Sequence, residues 1–154
     1  MNLNNFTIKS QEVIQQAFTI AQGNQQQAVE SGHLFKALFT EAEEIMNYLL
    51  AKLSVNSRGL EQTVDRLILR YPKVTGGEPY LGQSANRSLL RAMNHSKEAG
   101  DQFVSVEHLL LGLLDAGDEV AQMLKDSGLT EKELKAAIQE LRKGQKVTSQ
   151  TDEN

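Results

Sequence analysis

The two halves of this chain carry one pattern of apolar residues twice. Displacing the sequence by 75 positions superposes Ile14 on Leu89, Ala17 on Ala92, His33 on His108, Leu34 on Leu109, Phe35 on Leu110, Ala37 on Gly112 and Leu38 on Leu113. After a one-residue slip, a displacement of 74 continues through Leu49 and Met123, Leu50 and Leu124, Leu60 and Leu134, Val64 and Ile138, and Leu67 and Leu141. Most matched positions are apolar, as expected if two copies of one supersecondary unit bury the same face. The spacing within each half is helical. The expected fold class is therefore all-α: two pseudo-symmetric four-helix repeats packed as one eight-helix domain.

Punctuation places the helices. Thr7 is a candidate N-cap for a helix carrying Val13, Ile14, Ala17 and Ala21 inward and stopping near Gly23. Further helices are expected over 32–39 and 43–53 and from Asn56 onward, with repeat one at about 6–70. Both prolines, Pro72 and Pro79, fall with Gly76 and Gly77 in residues 71–82, a composition that breaks helices and reads as the linker between repeats. Repeat two, about 83–143, is expected to hold helices over 85–99, 106–114, 119–126 and 131–142. Ser105 and Asp118 would cap the sixth and seventh, Thr130 and Glu133 would form a capping box, and Gly128 suits a helix end. Residues 144–154 have one apolar member, Val147, and read as a flexible, solvated tail.

Composition narrows the function. A formal net charge of -4 and a pI near 5.4 argue against nucleic-acid binding, which needs a basic patch. Aromatic residues make up 5%, too few for stacking platforms, so a protein partner is expected. There is no cysteine, which removes disulfides and thiolate chemistry and fits a reducing compartment, the cytoplasm. No apolar run approaches the roughly 18 residues of a membrane span, and residues 1–6 lack a signal-peptide pattern. No Gly-x-x-x-x-Gly-Lys-Ser/Thr loop is present, so no ATP site, no cofactor and no enzyme activity are expected of this chain. A His-Glu-x-x-His run and a Gly-x-Ser-x-Gly elbow are likewise missing, so no metal or catalytic residue is assigned.

Two four-helix repeats in this order, Phe6-Thr7 at the start and the run Gly100-Asp101-Gln102-Phe103-Val104-Ser105-Val106-Glu107-His108-Leu109-Leu110-Leu111 resemble the Clp N-terminal repeat domain over about residues 1–143. The linker Tyr71-Pro72-Lys73-Val74-Thr75-Gly76-Gly77 resembles the ClpB disaggregase version rather than the ClpA or ClpC one. The resemblance implies a substrate-binding accessory domain of a hexameric ATP-dependent chaperone of the stress response, capturing unfolded or aggregated protein for threading by the ATPase ring. ATP and magnesium would then belong to ATPase modules outside this chain. The implied partners are unfolded or aggregated proteins, the domain's own homohexameric ring and, through other domains, an Hsp70-type chaperone system. The alternative is an adaptor-docking or pore-gating domain of a ClpA/ClpC-type unfoldase.

The family's polar substrate-handling set falls on Thr7, Asp101 and Glu107. Each also has a plain structural job: Thr7 as a cap, Asp101 in a turn, Glu107 in a first helical turn favoured by the dipole. The groove of relatives is bordered by the fifth helix and the start of the sixth, often with leucine. Here those positions read Arg91, His95 and His108, with Leu110 a further candidate if exposed, although periodicity assigns Leu110 to the core. His33 and His108 are repeat equivalents, so a shared structural role in a first helical turn is expected. The run Gln25, Gln26 and Gln27 is expected to face solvent.

Overall fold

The computed structural model describes residues 2–153; Met1 and Asn154, the outer limits of the expected domain and tail, lie outside the described residues. The described residues form α1 (Ile8–Gly23), β1 (Ala28–Val29), α2 (Ser31–Glu41), α3 (Glu43–Lys52), α4 (Ser57–Arg70), β2 (Tyr80–Leu81), α5 (Gln83–Glu98), α6 (Val106–Asp115), α7 (Glu119–Asp126) and α8 (Glu131–Arg142). Four helices stand in each half, as the duplicated pattern requires.

Helices begin where a side chain can take up a free backbone donor. Thr7 Oγ1 accepts from Ser10 N at 3.1 Å, Asn56 Oδ1 from Gly59 N at 3.0 Å, Asp118 Oδ1 from Ala121 N at 3.0 Å and Thr130 Oγ1 from Glu133 N at 3.2 Å. The expected capping box on α8 is half formed. The Glu133 carboxylate takes the Thr130 hydroxyl at 3.0 Å instead of reaching the Thr130 backbone. Gly128 sits at φ 105° just past α7, a conformation that costs a residue without Cβ least.

α2 and α6 are the central helices, buried around most of their circumference, as helices apolar on all sides must be. α1 packs along α2, α5 along α6, and the central pair touch each other. Phe35, Leu38, Leu110 and Leu113 fill the middle. Leu110, a groove candidate on the sequence, is fully buried there and lines no surface.

Two strand contacts add to the helices. β1 and β2 pair in parallel, tying the entry to α2 to the entry to α5, and a parallel bridge between Phe6 and Val104 ties the entry to α1 to that of α6. These are symmetry equivalents, since Phe6 and Leu81 are 75 apart, as are Val29 and Val104. Only two residues per strand is too short for a period-2 pattern to register in the sequence.

Two expectations fail. Gln26 does not face solvent: it is buried, its Oε1 lies 2.7 Å from His33 Nε2 and its Nε2 donates to Ile68 O at 2.5 Å. Residues 144–153 are mostly exposed, as a tail would be, but they do not trail away from the domain. Lys143 and Gly144, both left-handed at φ 54° and 78°, reverse the chain after α8 and lay it back across the domain, with Val147 buried.

Candidate functional site

The two repeats build the same hydrogen-bonded unit at the starts of α2 and α6. His33 Nδ1 accepts from Glu30 N at 2.9 Å, and its counterpart His108 Nδ1 accepts from Ser105 N at 2.8 Å. Each ring closes the first turn of its own helix, the shared structural role expected from their equivalence. Because Nδ1 is an acceptor, the ring proton sits on Nε2 and points at residue 26 or its counterpart 101. His33 meets the neutral amide of Gln26, while His108 Nε2 donates to Asp101 Oδ2 at 2.9 Å.

Replacing Gln26 by Asp101 in the second copy puts a charge where the first copy has none, and a cation answers it. Arg142, near the end of α8, donates from Nη1 to Asp101 Oδ2 at 2.9 Å, from Nε to Glu107 Oε1 at 3.2 Å and from Nη2 to Ser105 Oγ at 2.6 Å. The Asp101 and Glu107 side chains are all but fully buried. Burial alone would raise both carboxyl pKa values. For Asp101 the Val147 N–H and the Arg142 charge overcome it, and for Glu107 the Arg142 charge and hydrogen bond do, so both stay below the ordinary carboxylate range. Arg142, which the sequence reading did not single out, organises the whole cluster. The available signal was that two acids near one helix start need a cation, and Arg142 is the basic residue ending the last helix.

Two of the expected polar set meet at one carboxylate, and Asp101 joins them only through Arg142 and borders a second cleft. Thr7 at the N-cap of α1 and Glu107 in the first turn of α6 both approach one further carboxylate, that of Glu153. Glu153 Oε1 lies 2.5 Å from Thr7 Oγ1, and Glu153 Oε2 accepts from Val106 N at 2.9 Å. Burial, and then the neighbouring Glu107 charge, push the Glu153 carboxyl up to about 8. A cleft of about 810 Å³ opens beside it, with Ile45, Leu141 and Val147 as apolar wall and Glu107 and Arg142 as polar floor.

The remaining candidates sit elsewhere. His95 and His108 also border the second cleft, of about 340 Å³, between α5, α6 and α8, on the other side of Arg142. Arg91, half-exposed on α5, lies outside both clefts and reaches Asp115 at 3.5 Å. His95 is buried with its Nε2 3.4 Å from the same Asp115. His95, Asp115 and Glu131 bring potential ligand atoms within 4.8 Å of one another, but the two acids already pair with Arg91 and, at 3.0 Å, with Lys135.

The two buried histidines predict how stability responds to pH. Burial lowers His33 to about 4; burial and then the Arg142 charge, against Asp101 and Glu107, lower His108 to about 4. Unfolding returns both to 6.5, so the unfolded chain binds more protons between these values. The two rings therefore contribute stability that is full above pH 6.5 and falls as pH drops towards 4, by up to about 1.4 kcal/mol per pH unit for each, while the Glu153 carboxyl, raised to about 8, works in the opposite direction over the same range. Urea unfolding of Glu153→Gln, which lacks the opposing carboxyl, measures this slope at pH 7, 6 and 5, and adding His33→Gln should remove about half of it. A flat response between pH 6.5 and 5 would contradict the neutral, backbone-accepting assignment.

Fold and cluster together define a duplicated all-α domain with one charged site where the chain's start, α6 and α8 meet. The chain belongs to the Clp repeat (R) N-terminal domain family, whose model matches residues 5–127. It is 49% identical, over its whole length, to Chaperone protein ClpB of Bacteroides thetaiotaomicron, and 44% identical over 99% of its length to Chaperone protein ClpB of Porphyromonas gingivalis. It spans 18% of each of these relatives. Among solved structures it resembles the Hsp104 N-terminal domain of Candida albicans, with TM-score 0.83 and 21% identity over 96% of this chain and 97% of that one. It also resembles the N-terminal domain of the ClpV1 ATPase of E. coli, with TM-score 0.79 and 17% identity over 99% and 93%. These likenesses place the fold as that of the N-terminal domains of ClpB- and Hsp104-type chaperones, a domain distinct from their ATPase modules.

Proposed function

We propose that this domain captures exposed segments of unfolded or aggregated protein and hands them to an attached ATPase ring of ClpB type, performing no covalent chemistry itself. The observation that carries this reading is the cleft in which Glu107 and Arg142 face an apolar wall of Ile45, Leu141 and Val147, with Thr7 and Asp101 tied to the same cluster through Glu153 and Arg142. Such a surface can hold backbone and side chain of an extended segment without demanding a sequence. Burial of apolar side chains there contributes about 25 cal/mol per Å², so a single domain binds weakly. Copies tethered around a ring raise the effective concentration and make weak sites useful. The natural setting of this reading is a homohexamer in the cytoplasm, with ATP and magnesium confined to the ring and an Hsp70-type system engaging other domains.

An NMR titration with a permanently unfolded protein and with its folded counterpart tests the reading. Shifts with the unfolded titrant alone, clustered at Thr7, Asp101 and residues 105–108, are expected. Absence of shifts with unfolded protein, together with stoichiometric binding of a folded adaptor, would replace capture by the docking role of ClpA/ClpC-type domains.

A further inference from the structure

The repeat symmetry identifies a position that one half fills from within and the other leaves to a distant segment. In the first copy, the leading amide of α2, Ser31 N, donates to Ser84 Oγ at 2.9 Å, and that hydroxyl donates to Glu30 Oε1 at 2.9 Å. The carboxylate that completes this network is local to the repeat contact. In the second copy the counterpart of Ser31 is Val106, and the counterpart of Glu30 is Ser105, whose hydroxyl is taken by Arg142. No carboxylate of residue 105 exists to serve the start of α6. The Glu153 carboxylate occupies the equivalent place, accepting from Val106 N and bridging to Thr7.

Glu153 arrives on a segment held along its length by hydrogen bonds to residues 99–102 and to the start of α1. Val147 uses both backbone groups: its N–H donates to Asp101 Oδ1 at 2.9 Å and its carbonyl accepts from Gln102 N at 2.8 Å, while its side chain is buried. Gln150 O accepts the first amide of α1, Ile8 N, at 2.8 Å. Lys146 Nζ donates to Ala99 O at 2.6 Å. The recognised features are thus the backbone around one small apolar side chain and, after a turn in which Asp152 accepts from Thr148 N and Ser149 N, a carboxylate six residues further on.

We propose that residues 146–153 are the intramolecular occupant of a peptide-binding site, and that a client segment with a small apolar residue followed, after a turn, by an acidic one gains that site by displacing them. This deepens, and rests on, the capture reading above. The segment makes the free domain self-blocked: the same donors that would grip a client are engaged by the chain's own backbone, so a client binds only in competition with it. Tight intramolecular occupancy would lower apparent client affinity by the fraction of time the site is open.

Two variants of the full 154-residue chain test this, Glu153→Lys and Val147→Asp, both outside the helices. Amide exchange at Ile8, Gln102 and Val106 should accelerate at least tenfold in both, while amides of α2 stay protected. A synthetic peptide of the sequence Lys-Val-Thr-Ser-Gln-Thr-Asp-Glu should shift Ile8 and Val106 of the variants, and the peptide with its final residue changed to lysine should not. A permanently unfolded protein should bind both variants at least fivefold more tightly than the parent chain, at the same amides. Unchanged exchange in both variants overturns the proposal, as does unfolded protein binding parent and variants equally at amides elsewhere, an outcome that leaves the capture reading standing. If the peptide binds the opened site but unfolded protein binds no form, the site stands and the capture reading falls.

Discussion

Arg142→Ala is expected to cost the domain about 3–5 kcal/mol, the range for breaking a buried ion pair from one side. The reason is arithmetic of charge. Asp101 and Glu107 are nearly inaccessible to water, and Arg142 is the cation that donates to both. Its removal leaves two carboxylates in a poorly solvated site, beside a third, Glu153. Arg142→Lys should recover only part of the loss, because a single ammonium cannot span Asp101, Glu107 and Ser105 as the guanidinium fork does. Urea unfolding measures both. A second signature separates lost charge pairing from lost packing. In the parent chain both carboxyl pKa values are held low, so their contribution is present at neutral pH and lost as pH falls through them. In Arg142→Ala the same groups are raised by burial and become protonated on acidification. The stability gap between parent and variant should therefore narrow from pH 7 to pH 5; a gap independent of pH would assign the loss to packing alone.

The sequence made the architecture readable because the duplication repeats a helical apolar pattern whose two copies check each other. His33 and His108 illustrate the gain: an isolated histidine invites many roles, but a matched pair at one register points to a helix-start job, and both rings do accept the backbone N–H three residues earlier. What duplication conceals is where the copies diverge. Residue 26 is buried glutamine and residue 101 buried aspartate, and only the second demands Arg142. Thr7, Asp101 and Glu107 were named through a resemblance, while the meeting of Thr7 and Glu107 at Glu153, and of Asp101 and Glu107 at Arg142, was not legible. Residues 144–153 are polar throughout apart from Val147, and they dock through backbone hydrogen bonds and a single acid, which leave no periodic trace. Arg91 and His95, named through the resemblance as groove-bordering positions, share Asp115 on a surface separate from the Glu153 site.

Gly112→Val is the second large effect, and it follows from one place where the repeats are not equal. Ala37 and Gly112 are matched positions on the two central helices. At Gly112 the α5 backbone comes so near that an added Cβ would lie 2.7 Å from Ala92 N and closer still to the Ser88 carbonyl oxygen. Those are main-chain atoms of a packed helix and cannot swing aside as a side-chain tip can. Any substitution must push α5 off α6, disturbing Leu89 and Ala92 and, further along the same pair, the Asp101–His108 contact. Overpacking of this kind costs about 1–3 kcal/mol, and a branched side chain sits at the upper end. Gly112→Ala is the sharper comparison, because alanine favours a helix interior by about 1 kcal/mol over glycine and so works against the clash. A net loss with alanine, growing with valine, is the expected order. Gly23→Ala supplies the control: its Cβ would meet nothing within 4 Å, so it should be neutral or stabilise by a few tenths to about 1 kcal/mol. Thermal unfolding of the three variants decides the matter; Gly112→Ala matching Gly23→Ala would mean that α5 and α6 have room to spare and that close helix approach does not hold the second repeat together.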